Sequence, residues 1–512
     1  MNIAGLLVNA ARTWGDRPAL TLGQTVRLDY AGLARAVAGL AGGLRGRFGL
    51  VPGDRVLLAM TNSADYLTIL FACWQAGLLA VPVNAKLHPR EIGDIARDAT
   101  ARLVFATADL AQGVAAELPG LPLILPGSAD FARMTAQDAL PLHAGQPTDP
   151  AWIFYTSGTT GRPKGALLTH RNLLAMTIAY LADVDHLTPR DALLHLAATS
   201  HASGLFGLSF VARGAAHVLP ESGGYDPAET AAIIAAQDSV TFFAPTTLLN
   251  RMAGDAAMQA APRHHIRTVL TGAGPVYAAD IRRALASFGP RLWNGYGQGE
   301  SPCTITAMSQ PMIAAAAAAG DDGRLTSVGI ARSGIALRIA RPDGTEAAPD
   351  EVGEVLVQGD TVMAGYLGQP DATDAALRGG WLHTGDLGRL DARGHLHLTD
   401  RKKDVIITGG MNVSAREVEE VLLTHPGVAE VAVIGVRDAR WGESVLALIV
   451  PCPGPAPTAD ALDALCLDRL ARFKRPKRYE LVATLPRNAA GKVLKAALRD
   501  AWSNSFAAAQ NA

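Results

Sequence analysis

Short apolar segments alternate with segments of helical spacing along the N-terminal half of the chain, and this order restricts the fold more than any other feature. Residues 54–60 predict a buried strand, residues 64–77 a helix and residues 78–84 a second strand. The same order recurs from residue 216 to residue 245, and the apolar segment 267–274 ends in a glycine turn. A strand–helix–strand order predicts a parallel sheet with crossover helices, whose ligands bind at the carboxyl ends of the strands.

The C-terminal part changes character and indicates further domains. Short strand-like segments divided by Gly, Pro and Asp turns predict a small β-rich subdomain at about 325–400. The charged run 400–404 is typical of a linker, and 512 residues exceed what one hydrophobic core supports. We therefore predict an α/β fold in which a large N-terminal domain of parallel-type sheets, residues 1–400, precedes a small α+β domain, residues 401–512.

The charge balance and the cysteine pattern exclude several classes of protein. Lys plus Arg number 46 and Asp plus Glu number 47, so no global basic field is present to hold nucleic acid. The four cysteines form no C-x-x-C pair, which favours free thiols over a zinc framework. No apolar run reaches the roughly 18 residues that span a bilayer, and the first residues are typical of a short amphipathic helix. We expect a cytoplasmic protein without a transmembrane segment.

The strongest chemical signal is the run from Tyr155 to Gly165, in which glycines alternate with hydroxyl side chains. The glycines let the backbone approach phosphate oxygens, and the hydroxyls and a lysine supply donors and positive charge. The spacing differs from that of a Walker loop. The residues expected to bind phosphate are Thr156, Ser157, Gly158, Thr159, Thr160 and Lys164.

This run resembles the signature loop of the adenylate-forming superfamily, which includes acyl-CoA synthetases, aryl-CoA ligases, luciferases and peptide-synthetase adenylation domains. Four later segments match motifs of that family in the same order, at residues 295–300, 383–386, 400–412 and 486–492. The resemblance implies an AMP-forming acyl-CoA synthetase, an acid–thiol ligase that uses ATP, Mg²⁺ and coenzyme A. In such enzymes a substrate carboxylate attacks the α-phosphorus of ATP, and the thiol of coenzyme A then displaces AMP.

The same resemblance assigns nucleotide contacts to residues of the large domain and its border. Glu300 and Thr156 are expected to hold Mg²⁺. The family usually has Thr directly before this Glu, and its hydroxyl helps to hold the nucleotide phosphate. Here the residue is Gly299, so that contact with the phosphate must be lost or supplied by water or a neighbour. The further ATP contacts are expected from Tyr296, which stacks on adenine, from Asp386 and Arg401, which bind the ribose, and from Gly272, Ala273, Gly274 and Gly297.

The resemblance also implies that the small C-terminal domain rotates between the two half-reactions. Lys403 occupies the hinge position, and Gly409 and Gly410 form a narrow surface along which the pantetheine of coenzyme A passes. Lys492 neutralises the charge that builds on the α-phosphate and the leaving pyrophosphate. The expected catalytic residues are Lys492, Glu300 and His201, the last as a gate to the acyl pocket rather than as a proton carrier.

The acyl pocket is expected near His201, Phe243, Thr246 and Gly295, in mostly apolar segments that favour an aliphatic or aromatic monocarboxylic acid. A malonate-type dicarboxylate stays open, with Arg251 near in sequence. A fatty acyl-AMP ligase that serves a carrier protein and a luciferase-like oxygenase share the motifs. The alternative from another class is a non-catalytic nucleotide-binding protein. Many relatives form dimers, which allows a homodimer by analogy alone.

Overall fold

The computed structural model covers most of the chain. It describes residues 1–512 except 157–162, 275, 402–405, 409–410, 439–440, 489–490 and 511–512, and except the side chains of residues 400, 401, 412 and 503–510. Several predicted site residues lie outside the described residues, namely Ser157, Gly158, Thr159, Thr160, Lys403, Gly409 and Gly410. The side chain of Arg401 also lies outside them.

Strands occur throughout the described chain and include the segments that the sequence predicts. Those of the first 331 residues are β1 (Pro18–Leu22), β2 (Thr25–Asp29), β3 (Arg55–Ala59), β4 (Leu79–Pro82), β5 (Leu103–Ala106), β6 (Leu123–Ile124), β7 (Pro150–Thr156), β8 (Lys164–Thr169), β9 (Asp191–Leu194), β10 (Ala216–Leu219), β11 (Ser239–Phe243), β12 (Ile266–Gly272), β13 (Leu292–Gln298), β14 (Ser301–Met308) and β15 (Ile330–Ala331). Those that follow are β16 (Ile335–Ala340), β17 (Gly353–Gly359), β18 (Leu382–Leu390), β19 (Leu396–Arg401), β20 (Ile406–Thr408), β21 (Met411–Val413), β22 (Val428–Asp438), β23 (Gly442–Pro451) and β24 (Arg478–Leu481).

Helices connect most of these strands. They are α1 (Gly5–Thr13), α2 (Tyr30–Gly46), α3 (Asp65–Gln75), α4 (Pro89–Asp98), α5 (Ala108–Glu117), α6 (Ala129–Thr135), α7 (His170–Asp183), α8 (Ala202–Val211), α9 (Pro227–Ala236), α10 (Thr246–Ala253), α11 (Ala256–Ala260), α12 (Ala278–Phe288), α13 (Gln310–Ala318), α14 (Asp322–Leu325), α15 (Pro370–Ala376), α16 (Ala415–Leu422), α17 (Ala459–Arg469) and α18 (Lys495–Gln510). Short 3₁₀ turns occupy Arg263–His265 and Arg378–Gly380.

The chain divides into two compact units. Unit 1 comprises Met1–Leu337 and Val357–His383, and unit 2 comprises Arg338–Leu356 and Thr384–Ala512. The polypeptide therefore passes between the units at three places rather than one. The predicted domain boundary at residue 400 and the hinge at Lys403 stay predictions.

Unit 1 contains a nine-stranded sheet, with the order β15-β14-β13-β12-β11-β9-β10-β1-β2 among the described residues. The six strands from β13 to β1 in this order are parallel to their neighbours, and the edge strands β14, β15 and β2 are antiparallel. Strand β9, the apolar segment that precedes residues 196–204, lies between β10 and β11. The predicted parallel sheet is confirmed, and it brings the ends of β11, β12 and β13 to one edge.

A second sheet of unit 1 has the order β6-β5-β3-β4-β7-β8. Strands β3 and β4 pair in parallel, with Leu57 opposite Val81, as the strand–helix–strand pattern predicts. Their crossover helix α3 is apolar nearly all round, and every residue from Tyr66 to Gln75 is buried, which is typical of a helix enclosed by other elements. Strand β8 is antiparallel to β7 and forms the edge of this sheet.

Unit 2 has its own sheets and core. The described residues form a four-stranded sheet of order β16-β17-β18-β19, and a five-stranded sheet of order β21-β20-β23-β22 with β24 beside β23. Val418 and Leu422 of α16 and Leu462 of α17 belong to the apolar cluster that covers the five-stranded sheet. A large α/β part with parallel sheets and a smaller α+β part are therefore present, and the predicted fold class is confirmed.

Candidate active site

The ends of the predicted phosphate loop are held by β-sheet pairing. Strand β7 ends at Thr156 and β8 begins at Lys164, and these two residues are directly opposite each other in the antiparallel register. Strands β7 and β8 therefore form the pair at one edge of the six-stranded sheet, and the predicted phosphate-binding run lies between them in the sequence. This pairing brings the hydroxyl of Thr156 and the ammonium of Lys164 to the same end of the sheet.

The carboxylate of Glu300 is bound by two hydroxyl groups. Thr156 Oγ1 donates to Glu300 Oε1 over 3.2 Å, and the phenol of Tyr366 donates to the same oxygen over 2.7 Å. Burial and the neighbouring carboxylate raise the pKa of Tyr366, so its phenol stays a donor. Two predicted site residues that are distant in sequence, Thr156 and Glu300, are thus brought together.

Tyr366 also connects the carboxylate to Lys164. The ammonium nitrogen of Lys164 lies 5.1 Å from the centroid of the Tyr366 ring, within the range of a cation–π contact. Backbone bonds hold this arrangement: Leu167 donates to Gly365 over 2.9 Å and Leu367 donates to Gly165 over 2.8 Å. Sequence reasoning missed Tyr366, because its neighbours in the chain carry no signal of a site.

The structure gives a physical reason for Gly299. A Cβ atom at this position would lie 2.3 Å from Thr156 Cγ2 and 2.7 Å from Phe154 Cδ1. Those distances are too short for a side chain, so the space that the family usually fills with Thr is filled here by Thr156 and Phe154. Thr156, whose methyl group fills this space, also donates its hydroxyl to Glu300.

A glycine turn closes the end of β12. Gly272 has φ +147° and Ala273 has φ +64°, a left-handed conformation that is uncommon for a residue with a side chain. A Cβ at Gly272 would lie 2.3 Å from the carbonyl oxygen of Gly295, its partner in β13. The predicted ATP segment Gly272–Gly274 and the pocket residue Gly295 are therefore in direct contact at the sheet edge.

The β13–β14 hairpin presents the predicted adenine-binding residue Tyr296. Tyr296 is buried, and its hydroxyl accepts from Gln298 over 3.5 Å. The register shifts between Tyr296 and Gln298, and a Cβ at Gly297 would lie 2.5 Å from the backbone nitrogen of Cys303. Cys303 itself has φ +61°. Such bulges re-aim strand residues and are frequent beside active sites.

Asn294, two residues before Tyr296, is a buried amide without partners. Neither its Oδ1 nor its Nδ2 has a hydrogen-bond partner among the described residues. An unsatisfied buried amide costs free energy, about 1–3 kcal/mol for each group, unless a ligand or water satisfies it. The sequence places Asn294 in the stretch 293–295 that is expected near the acyl pocket, and its place beside the adenine motif is the signal for a nucleotide contact.

The predicted acyl-pocket residues surround an aromatic cluster. Phe243 packs against Phe206 with ring centroids 5.7 Å apart, and Phe206 contacts Trp293 edge-to-face at 6.2 Å. A Cβ at Gly295 would lie 2.3 Å from the Trp293 ring, so the indole lies along the strand where a larger residue would block it. These contacts group Phe243 and Gly295 as the sequence predicts.

Two further predicted pocket residues carry polar groups. His201 directly precedes α8; its ring meets Phe154 edge-to-face at 5.4 Å, and its Nδ1 lies 2.8 Å from Ser200 Oγ. Thr246 is buried, and its hydroxyl has no partner among the described residues. Arg251, by contrast, is exposed and its guanidinium lies 5.0 Å over the ring of Tyr225, so it does not join this group.

Unit 2 carries the remaining described site residues. Asp386 lies in β18, is buried, and pairs in the backbone register with Arg401 of β19. Lys492 is exposed in a tight turn, where its backbone N–H donates to Asn488 Oδ1 over 2.9 Å and its carbonyl accepts from the Asn488 N–H over 2.8 Å. The side chain of Lys492 is exposed to solvent.

The donor set at Glu300 fits Mg²⁺ bound through a nucleotide. Within the described part of the chain no group of three or more His, Cys, Asp or Glu residues is placed to hold a metal. Mg²⁺ bound with substrate phosphates takes one or two carboxylates and keeps several waters, so it does not need a cage of protein ligands. Glu300 and the hydroxyl of Thr156 supply a suitable minimal set.

Comparison with known proteins identifies the family of the chain. Residues 7–367 match the AMP-binding enzyme family, and residues 417–492 match the AMP-binding enzyme C-terminal domain. The chain belongs to the AMP-binding enzyme family. It is 37% identical over 475 residues to a feruloyl-CoA synthase of an Amycolatopsis species, covering 92% of this chain and 93% of that protein.

Other relatives of this AMP-binding enzyme extend the comparison. It is 32% identical over 503 residues to the fatty acid–[acyl-carrier-protein] ligase ScoC of Streptomyces coeruleorubidus, covering 93% of this chain and 92% of the relative. ATP-bound MatB from Rhodopseudomonas palustris superposes with a TM-score of 0.88 at 29% identity, covering 99% of this chain and 100% of MatB.

Family membership confirms the predicted enzyme class. This AMP-binding enzyme is an acid–thiol ligase, an ATP-dependent acyl-CoA synthetase that works through an acyl-AMP intermediate. Its small-molecule partners are a carboxylic acid, ATP with Mg²⁺, and coenzyme A. Among the described residues no helix is long and apolar enough to cross a membrane.

Proposed function

We propose that this AMP-binding enzyme activates an aromatic monocarboxylic acid and transfers the aryl-acyl group to coenzyme A. The observation that carries the proposal is the aromatic cluster of Phe206, Phe243 and Trp293 around Gly295. Flat aromatic walls suit a flat acyl group, because aromatic rings gain from stacked and edge-to-face contacts beyond the area they bury. The similarity to a feruloyl-CoA synthase supports the same choice.

The nucleotide roles in this proposal follow the positions of the residues in unit 1. Thr156 and Lys164, with Ser157, Gly158, Thr159 and Thr160 between them, bind the phosphates. Glu300 binds Mg²⁺, which neutralises phosphate charge as pyrophosphate leaves. Tyr296 stacks on adenine, and the turn of Gly272, Ala273 and Gly274 and the strand residue Gly297 contact the nucleotide. The unsatisfied amide of Asn294 can donate and accept at once, which is the pattern that the edge of a purine base requires.

The roles proposed for unit 2 divide the reaction into two steps. Asp386 and Arg401 bind the ribose, and Lys492 stabilises the charge that develops on the α-phosphate during adenylation. Lys403 is the hinge for a change of arrangement, after which Gly409 and Gly410 guide the pantetheine. Catalysis in both steps depends on positioning and charge stabilisation rather than on a protein nucleophile.

The acyl side of the site is proposed to select the acid through a gate at its entry and through the shape of its walls. His201 lies at the start of α8 and against Phe154, and it gates the opening between the nucleotide site and the acyl pocket. The carboxylate is proposed to enter beside Gly295, whose missing side chain leaves room for the Trp293 ring in the pocket wall. We place the enzyme in the cytoplasm, where ATP, coenzyme A and reduced thiols are available.

A pyrophosphate-release assay tests the acid. Purified enzyme with MgATP and coenzyme A is offered benzoate, cinnamate, hexanoate and malonate, each with a blank that lacks enzyme. The proposal requires the highest kcat/KM for an aryl acid and formation of its CoA thioester by mass spectrometry. A clear preference for hexanoate or malonate would contradict it.

A second acceptor is supported by one relative. The similarity to a fatty acid–[acyl-carrier-protein] ligase favours transfer to a carrier protein as the alternative to coenzyme A. The same assay separates the two acceptors. In a synthetase, omission of coenzyme A stops formation of the thioester. A carrier-protein ligase accumulates acyl-AMP whether or not coenzyme A is present.

A further inference from the structure

Arg332 is a buried cation in unit 1 that the motifs do not include. Its exposed fraction is 4%, and it directly follows the edge strand β15. Its Nε donates to Asp183 Oδ2 over 2.9 Å, and its Nη1 donates to the carbonyl oxygen of Cys303 over 3.1 Å. A guanidinium is rarely buried so completely unless its charge is paired and its donors are satisfied, because desolvation of the charge is costly.

One nitrogen of this guanidinium is left unsatisfied. Nη2 of Arg332 is buried and has no hydrogen-bond partner within the described part of the chain. The guanidinium lies 5.2 Å from the Trp293 ring, and the indole Nε1 of Trp293 is also buried and unpartnered. Two stacked side chains therefore each hold a spare donor, and buried donors without acceptors are rare in native proteins.

These donors adjoin the proposed acyl pocket. Trp293 lies along β13 against the position of Gly295 and contacts Phe206, which in turn packs on Phe243. Cys303, whose carbonyl holds Arg332, belongs to the same apolar cluster. Arg332 therefore adjoins the proposed acyl pocket through its contacts with Trp293 and Cys303.

The charges around Arg332 decide what kind of acceptor it can take. Asp183 already compensates the guanidinium, and two donations from Ser333, through its N–H at 2.9 Å and its hydroxyl at 2.5 Å, stabilise that carboxylate. A second carboxylate from a substrate would leave this buried region with a net negative charge, which is unfavourable in an apolar surrounding. A neutral oxygen adds an acceptor without adding charge.

We propose that Arg332 is a specificity-determining residue that hydrogen-bonds a neutral oxygen, such as a phenol, methoxy or carbonyl group, at the end of the aryl acid distant from its carboxylate. The inference rests on the proposed aryl-CoA synthetase function and deepens it. It favours an oxygen-bearing aryl acid over the unsubstituted acid and over a dicarboxylate of the same length.

The test compares cinnamate, 4-hydroxycinnamate and 4-carboxycinnamate in the pyrophosphate-release assay with full-length enzyme. We expect the wild type to prefer 4-hydroxycinnamate to cinnamate by about tenfold or more in kcat/KM. Arg332→Met is expected to bring that ratio to about one while cinnamate is still used. The double variant Arg332→Met/Asp183→Asn removes both charges together, so the result does not depend on tolerance of an unpaired buried carboxylate.

Arg267→Met is the matched control. Arg267 pairs with Asp185 and Asp191 at 3.2 Å but makes no contact with Trp293 among the described residues, so this variant should keep the wild-type ratio. Equal loss for all three acids in both Arg332 variants would assign Arg332 a structural role and overturn the inference alone. No pyrophosphate release with any aryl acid would overturn the proposed function, and the inference with it.

Discussion

Gly299 illustrates how one residue is understood only with its neighbours. Read along the sequence, it removes a hydroxyl that relatives place before the catalytic carboxylate. In the folded chain the position has no room for a side chain, because Thr156 and Phe154 occupy that space. Thr156 also donates its hydroxyl to Glu300, so the packing around Glu300 explains why residue 299 has no side chain.

Restoring threonine at residue 299 should therefore be harmful. Gly299→Thr would force its Cβ against Thr156 Cγ2 at 2.3 Å and against the Phe154 ring. We expect a loss of about 1–3 kcal/mol in the free energy of unfolding, which is typical of overpacking, and slower adenylation. Urea unfolding and pyrophosphate release measure the two effects. Gly224→Ala is the control, because a Cβ there meets nothing within 4 Å; equal stability of both variants would refute the steric account.

Substitution of Glu300 by glutamine should separate charge from packing. The amide oxygen of Gln still accepts from Thr156 and Tyr366, so the melting temperature should stay near that of the wild type. Loss of the negative charge should weaken Mg²⁺ binding and slow adenylation about 10- to 100-fold, with a higher Mg²⁺ concentration at half-maximal rate. Tyr366→Phe keeps the carboxylate and should change the rate less. A Mg²⁺ dependence unaltered in Glu300→Gln would argue against the metal role.

The sequence alone was sufficient to select site residues that belong to contiguous motifs. Thr156, Lys164 and Glu300 could be selected because each lies in a short run whose residue types indicate phosphate or metal binding. Tyr366 and Arg332 could not, since their significance comes from contacts with residues far away in the chain. Local patterns carry no information about such pairings.

At the scale of elements, periodicity predicted the strands that alternate with clear helices, such as β3 and β4 around α3. The four residues of β9 are fully buried and too few to show a period, so only their apolar character indicates a strand. Nothing in the sequence predicted that β9 separates β10 from β11. Order in a sheet is set by how helices pack on its faces, and a list of segments does not contain that information.

Two buried histidines join β9, β10 and α8. His195 follows β9 and stacks on His217 of β10 with centroids 5.3 Å apart; its Nε2 lies 3.0 Å from His217 Nδ1, and its Nδ1 lies 2.8 Å from Ser203 Oγ. Burial lowers the pKa of His195 to about 3 and the pKa of His217 well below its ordinary value. Both rings are therefore neutral in the folded protein at neutral pH.

This pair should make the enzyme sensitive to mild acid. In the unfolded chain histidine binds a proton near pH 6.5, whereas the folded pair does not, so folding stability is complete above about pH 7 and falls as the pH decreases from about 6.5 towards 3. Urea unfolding at several pH values measures this. His195→Gln should reduce the slope of the free energy of unfolding against pH. The control variant His264→Gln, at an exposed residue, should leave that slope unchanged. A slope that His195→Gln does not alter would contradict the assignment.

At the scale of the whole molecule, the two half-reactions should respond to different substitutions. Lys492→Ala is expected to stop adenylation, because charge stabilisation at the α-phosphate is lost, while the enzyme still converts supplied acyl-AMP and coenzyme A to thioester. Pyrophosphate release and thioester formation are measured separately. Equal loss in both assays would contradict a role confined to the first step.

The hinge prediction has the opposite signature. Proline at residue 403 restricts the backbone, so Lys403→Pro should spare adenylation and block thioester formation. Lys402→Ala provides a neighbouring control that removes a charge without restricting the backbone. If Lys403→Pro lost both activities together, the rotation account would have no support.

The three crossings between unit 1 and unit 2 have a consequence for how such a gene can change. Residues 338–356 belong to unit 2. Along the chain, 27 residues of unit 1, Val357–His383, separate them from the rest of unit 2. A single recombination breakpoint near residue 384 would thus combine a core made by one parent with a fragment inherited from the other. Exchange of this unit between relatives would preserve its packing only if two breakpoints were used, or if both parents shared the residues buried at that seam.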